Sequence, residues 1–124
     1  MVNGVVPIVM KRNVILLLLA AAFFPGGCQK KKSADVKVQV VMRKYSIEPA
    51  VIHVKSGQSV ELAVTSADVQ HGFDVPALGI KEPIQPGRTT TILFTAPARG
   101  EYKVACGILC GPHHEDMAGK LVVE

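Results

Sequence analysis

From Val36 onward the chain alternates. Val36, Val38, Val40 and Met42 fall on one side of an extended chain and Lys37, Gln39, Val41 and Arg43 on the other, the period of a half-buried strand with its charges outward. Behind a Lys55-Ser56-Gly57-Gln58 turn, Val60, Leu62 and Val64 alternate in the same way with Ser59, Glu61, Ala63 and Thr65. Shorter extended pieces are predicted over residues 45–49, 51–54 and 72–75, followed by a long connection over 76–86 punctuated by Gly79, Pro83 and Pro86. Three more strands are predicted: 89–95 with Thr90, Ile92 and Phe94 on one face, 101–105 with Tyr102 and Val104 inward, and 121–123. Only residues 113–117 offer a helical turn. Short strands between Gly- and Pro-rich turns, with no sustained helical period, predict an all-β fold, a Greek-key β-sandwich or barrel.

The first 35 residues stand apart from this pattern. Lys11 and Arg12 precede eleven uncharged residues, 14–24, and Pro25-Gly26-Gly27-Cys28 follows, the order of a secretory signal. A spanning helix needs about 20 apolar residues, and this core has roughly half that. Residues 1–27 are therefore read as an export signal or short membrane anchor. Cys28, just behind the apolar core and two glycines, resembles the lipid-attachment cysteine of bacterial lipoproteins, although Pro25 stands where such signals usually carry an aliphatic residue. Residues 28–35, with Lys30, Lys31 and Lys32, read as a polar tether, and residues 36–124 as the single folded domain.

Charge follows the same division. The whole chain carries +4, yet residues 33–124 hold nine Lys or Arg against ten Asp or Glu, a net −1. The basic excess belongs to the leader and tether, where it favours a membrane surface and gives no case for nucleic acid.

The chemistry is concentrated in Cys106-Gly-Ile-Leu-Cys110-Gly-Pro-His-His114-Glu-Asp-Met117, which places two thiols, two imidazoles and a thioether within twelve residues. His71, behind the second long strand and in the connection that follows it, is the natural remote partner. Thiolate and thioether ligands favour copper, and imidazole accompanies them in copper electron-transfer sites. Several readings of these residues compete. Cys106 and Cys110 can form a disulfide in an exported protein. Two Cys with two His can close a tetrahedral zinc site, which leaves Met117 without a purpose. A one-copper blue site would take Cys110, His71, His114 and a weak Met117, which leaves Cys106 surplus. Two thiolates can instead bridge two copper ions.

The Cys-x3-Cys-x3-His-x2-Met loop, with Asp68-Val69-Gln70-His71-Gly72-Phe73 and Val75-Pro76-Ala77-Leu78-Gly79-Ile80-Lys81 upstream, resembles the CuA domain of cytochrome c oxidase subunit II, also found in nitrous-oxide reductase. The resemblance spans residues 45–123 and implies a cupredoxin-like fold with a binuclear copper centre relaying one electron at a time. Carried onto these positions, it implies Cys106 and Cys110 as bridging thiolates, His71 and Met117 on one copper, and His114 with the backbone carbonyl of Ile108 on the other. Ile108 stands where the family commonly has Glu, His113 where Asn is common, and the chain has no Trp. The first departure questions a neighbouring magnesium site; the last questions the usual route of electrons from cytochrome c.

Asp68, Asp74, Glu115 and Asp116 are candidate acceptors for the second ring nitrogens of the two ligand histidines. Phe73, Leu78, Ile108, Leu109 and Pro112 are candidates for apolar cover. No catalytic pocket is predicted, because the thiols are taken up by metal and no motif places a pair of carboxylates. The partners implied are a redox donor, cytochrome c or another small carrier, together with an oxidase catalytic subunit and the membrane. Location follows as exported, in the cell envelope, in the periplasm or on the outer face of the cytoplasmic membrane. Delivery of copper to an oxidase under assembly would use the same ligands and is the competing function.

Overall fold

The computed structural model describes Gly27 and residues 32–124. The expected leader, Cys28 and the first part of the tether lie outside the described residues. Among those described, no helix is long and apolar enough to cross a membrane.

Among the described residues nine strands form two sheets, which is the predicted all-β sandwich. One sheet holds β1 (Val36–Arg43), β2 (Ser46–Glu48), β4 (Ser59–Ser66) and β7 (Thr90–Thr95) in the order β2-β1-β4-β7. The other holds β3 (Val51–Val54), β5 (His71–Val75), β6 (Ile80–Ile84), β8 (Gly100–Cys106) and β9 (Ala118–Val123) in the order β3-β9-β8-β5-β6. Two pairs are parallel, β1 with β4 and β3 with β9, because the chain crosses repeatedly between the sheets.

Alternation decides which side chains meet. Val40, Met42, Val60, Leu62, Val64 and Ile92 line the inner face of the first sheet, and Ile52, Val54, Phe73, Val75, Ile84, Val104, Leu121 and Val123 that of the second; all are buried. Each such side chain taken fully out of water contributes about 1.5–3 kcal/mol. The register puts Leu62 opposite Ile92 and beside Val38, so the branched side chains stack across strands. Leu93, one residue out of phase on β7, is accordingly 68% exposed.

The segment expected as one long connection contains structure. Pro76–Leu78 makes a 3₁₀ turn closed by Gly79, and Ile80–Ile84 pairs with β5 as an edge strand. Pro83 lies inside this strand opposite Gly72, a place proline can occupy only where no further strand needs its missing N–H. His71 also differs from its expected place in a connection: it is the first residue of β5 and is fully buried. A second 3₁₀ turn, His114–Asp116, lies within the predicted helical turn.

Candidate metal centre

The pairing of β5 with β8 assembles the site. Phe73 lies opposite Cys106 and Asp74 opposite Ala105, so the strand that begins at His71 runs past the strand that ends at Cys106. Gly107 N–H continues the contact by donating to the Gly72 carbonyl at 3.2 Å. Gly72 is needed here because a Cβ would stand 3.0 Å from both the backbone N and Cγ1 of Ile108. β9 returns beside β8, with Ala118 opposite Ala105, and Cys106 N–H donates to the Met117 carbonyl at 3.4 Å. The loop between β8 and β9 is thus pinned at both ends beside His71.

Its donor atoms converge. The Sγ atoms of Cys106 and Cys110 are 3.8 Å apart, and both thiols are free. His71 Nδ1 lies 3.8 Å from Cys106 Sγ, and Met117 Sδ lies 3.4 Å from Cys110 Sγ. The Ile108 carbonyl oxygen is 3.1 Å from Cys106 Sγ. The ligand atoms of His71, Cys106 and Cys110 all fall within 4.8 Å of one another, and all three residues are buried, as is Met117. His114 is not part of that tight group. Its Nδ1 is nevertheless buried with no hydrogen-bond partner, a cost that a native fold accepts where the atom has another use.

Among the four acidic residues near the site in sequence, Asp68 is the one that holds a candidate ligand histidine. Its Oδ1 sits 2.7 Å from His71 Nε2, and its Oδ2 accepts the Lys44 backbone N–H at 2.7 Å. Burial, the largest single influence on this carboxyl, pushes its pKa up; the N–H groups of Lys44 and Val69 and the His71 ring together outweigh it and bring the value down to about 2. The group is therefore a carboxylate, which accepts from the Nε2 side of the His71 ring and leaves Nδ1 turned toward the sulfurs. Burial, with Cys106 beside it, pushes the Cys110 thiol up from its ordinary value.

The remaining candidates separate. Phe73 is fully buried in the core, while Leu109, expected as cover, is 80% exposed at the loop tip because it points away from the pinned base. The His113 side chain is 66% exposed and faces Asp116, with Nδ1 3.3 Å from Oδ2. Two contacts have no signal in the spacing: Lys44 N–H on Asp68, and Tyr45 edge-on to His113 with ring centroids 5.2 Å apart. Both come from the opposite sheet.

The profile of the cupredoxin-like domain matches residues 14–123. The chain belongs to the cupredoxin-like domain family. This cupredoxin is 34% identical over 87 residues to cytochrome c oxidase subunit 2 of Thermus thermophilus, an alignment covering 70% of the chain. It spans 64% of the length of that relative. Its fold is shared with the periplasmic domain of subunit II of cytochrome oxidase (CoxB) of Bradyrhizobium japonicum, at a TM-score of 0.68 and 23% identity, covering 74% of this chain and 86% of that one. It is also shared with auracyanin A, a blue copper protein of Chloroflexus aurantiacus, at a TM-score of 0.59 and 21% identity, over 71% and 98% of the two chains.

The donor set fits copper. Two thiols, a thioether, a carbonyl and an oriented imidazole gather in one buried spot, and the same loop carries the buried, unpartnered Nδ1 of His114 as a further imidazole donor.

Proposed function

We propose that this cupredoxin holds a binuclear copper centre and relays single electrons into a terminal oxidase or a related respiratory complex. Cys106 and Cys110 would bridge the two ions, His71 and Met117 would complete one, and His114 with the Ile108 carbonyl the other. Bound copper supplies the one-electron redox change, and the protein supplies its rigidity. Strand ends β5, β8 and β9 fix His71, Cys106 and Met117, so little has to move there when the charge changes. Asp68 holds the His71 ring in one orientation.

The reading rests on one observation: the second thiol lies 3.8 Å from the first, inside the site, where a one-copper centre would leave it without work. Zinc would leave the Met117 thioether idle. The proposed partners are cytochrome c or another small carrier as donor and an oxidase catalytic subunit as acceptor. Residues 1–27 would direct export, and a lipid on Cys28 with the lysine tether would hold residues 36–124 at the outer face of the membrane.

Copper analysis with electron paramagnetic resonance tests this, on protein loaded with copper while its thiols are reduced and then oxidised to the paramagnetic state. Two coppers per chain with a spectrum delocalised over both support it. One copper with a single-site spectrum replaces it by a blue-copper carrier; one readily transferred Cu(I) with no stable redox couple replaces it by copper delivery.

A further inference from the structure

Both ligand histidines are reached by one turn that belongs to the other sheet. Lys44 and Tyr45 join β1 to β2. Lys44 donates its backbone N–H to Asp68 Oδ2 at 2.7 Å, and Oδ1 of the same carboxylate holds His71 Nε2 at 2.7 Å. The next residue, Tyr45, reaches the other arm. Its hydroxyl occupies the place of the missing side chain at Gly111, 2.5 Å from where a Cβ would stand, with its ring carbons at 3.2 and 3.3 Å. The same ring meets His113 edge-on, at 5.2 Å between centroids and 72° between planes. Gly111 has φ +151°, so glycine serves there both for its backbone and for the space Tyr45 takes. Gly111 and His113 flank Pro112 and lead directly into His114, whose buried Nδ1 has no hydrogen bond of its own to orient it.

We infer that Tyr45 is a positioning residue for the His114 arm, and that the Lys44–Tyr45 turn acts as a strut setting the two histidines relative to each other. The physical argument is one of missing restraints. His71 is held by a carboxylate and by strand pairing, but residues 110–114 lie outside the strands and are held only by short-range bonds of the loop itself: the His114 N–H donates to the Gly111 carbonyl at 3.1 Å, and the His113 and His114 carbonyls accept from the Asp116 and Met117 N–H groups at 3.0 and 3.2 Å. A rigid aromatic ring packed on Gly111 and His113 supplies what strand pairing does not. Among the described residues no hydrogen bond joins Tyr45 to a sulfur or a histidine nitrogen, so the ring acts through the loop it packs on.

The inference deepens the copper reading and rests on it. Amide hydrogen exchange on the copper-free protein tests the strut, and copper release to a chelator tests its consequence. Tyr45→Leu keeps an apolar side chain under the turn but cannot reach the loop; Tyr45→Phe keeps the ring. In Tyr45→Leu, exchange at the hydrogen-bonded loop amides of His114, Asp116 and Met117 is expected to rise about tenfold while β4 and β8 stay protected, and copper release to quicken about tenfold. Tyr45→Phe is expected within about twofold of the parent, and Tyr102→Phe, which removes a hydroxyl bonded to Ala98 O at 2.6 Å elsewhere on the domain, leaves both readings unchanged. Unchanged loop exchange in Tyr45→Leu overturns the inference, and so does an equal loss of protection throughout the domain, since the ring would then serve the fold and not the loop. A parent protein that takes up no copper pair sinks the copper reading and leaves the exchange result standing.

Discussion

Asp68 accepts from the His71 ring and the Val69 N–H through Oδ1 and from the Lys44 N–H through Oδ2, each at 2.7 Å. An amide cannot do the same, because one of its two heads becomes a donor and faces a donor. Asp68→Asn is therefore expected to loosen the His71 orientation and weaken copper binding by about 10- to 100-fold, while stability falls by about 1–2 kcal/mol. Chelator competition and urea unfolding on the same preparation separate the two effects; unchanged copper affinity would show that the carboxylate serves the turn alone. At this scale the sequence was partly legible. It supplied Asp68 as one of four acidic neighbours, but choosing among them needs the course of the chain, since Asp116 is equally close to a histidine and pairs instead with exposed His113. Leu109 went the other way: apolar character predicted cover, and its place at a loop tip leaves it in solvent.

Strands with a strict period of two were readable. In β1 and β4 every second residue is apolar, and burial follows that phase, with Val40, Met42, Val60, Leu62 and Val64 inside. β6 was not readable, because Lys81, Glu82 and Pro83 carry no alternation; an edge strand needs neither an inner face throughout nor a full ladder. β5 is readable over 72–75, but the pattern leaves its first residue, His71, in the connection, since His-Gly carries no apolar alternation to mark the start of a strand. The start of β1 is clasped to β4 by Asp35, whose carboxylate accepts the Ser59 N–H at 2.9 Å and its hydroxyl at 3.1 Å. The Ser59 N–H, then its hydroxyl, hold the Asp35 pKa below the ordinary 3.8. A depressed carboxylate adds stability that is complete above the ordinary value and lost as pH falls through the folded one. The Ser59 amide resonance is accordingly expected to stay constant from neutral pH to about 4 and to move only below it, and Asp35→Asn to abolish that movement. A midpoint at or above 3.8 would mean that the clasp does not form in solution.

At the scale of the folded domain, the proposed centre sets metal and proton in competition for the same sulfur while the two sheets provide a core that needs neither. Among the described residues nineteen apolar ones are buried, and only Cys106, Cys110 and Met117 of these belong to the proposed site. Copper removal should therefore leave the far-ultraviolet signature of the sandwich in place and lower only the unfolding midpoint. At free copper a hundred times the dissociation constant, the lost stabilisation is about 2.7 kcal/mol. Its pH dependence has a defined sign. Burial raises the Cys110 thiol above its ordinary 9.0, so without metal the folded state prefers the proton, and that preference stabilises below pH 9 and fades as pH climbs through the folded value. Copper takes the thiolate. Loading must expel the proton, and affinity should rise about tenfold per pH unit for each proton released. The gap in unfolding midpoint between copper-loaded and copper-free protein is thus expected to widen from pH 6 to pH 8, with proton release visible as a buffer-dependent heat in titration calorimetry. A gap independent of pH, with no buffer dependence, would mean that copper binds without displacing a thiol proton. The buried sulfurs would then not be its ligands, whatever the number of ions bound.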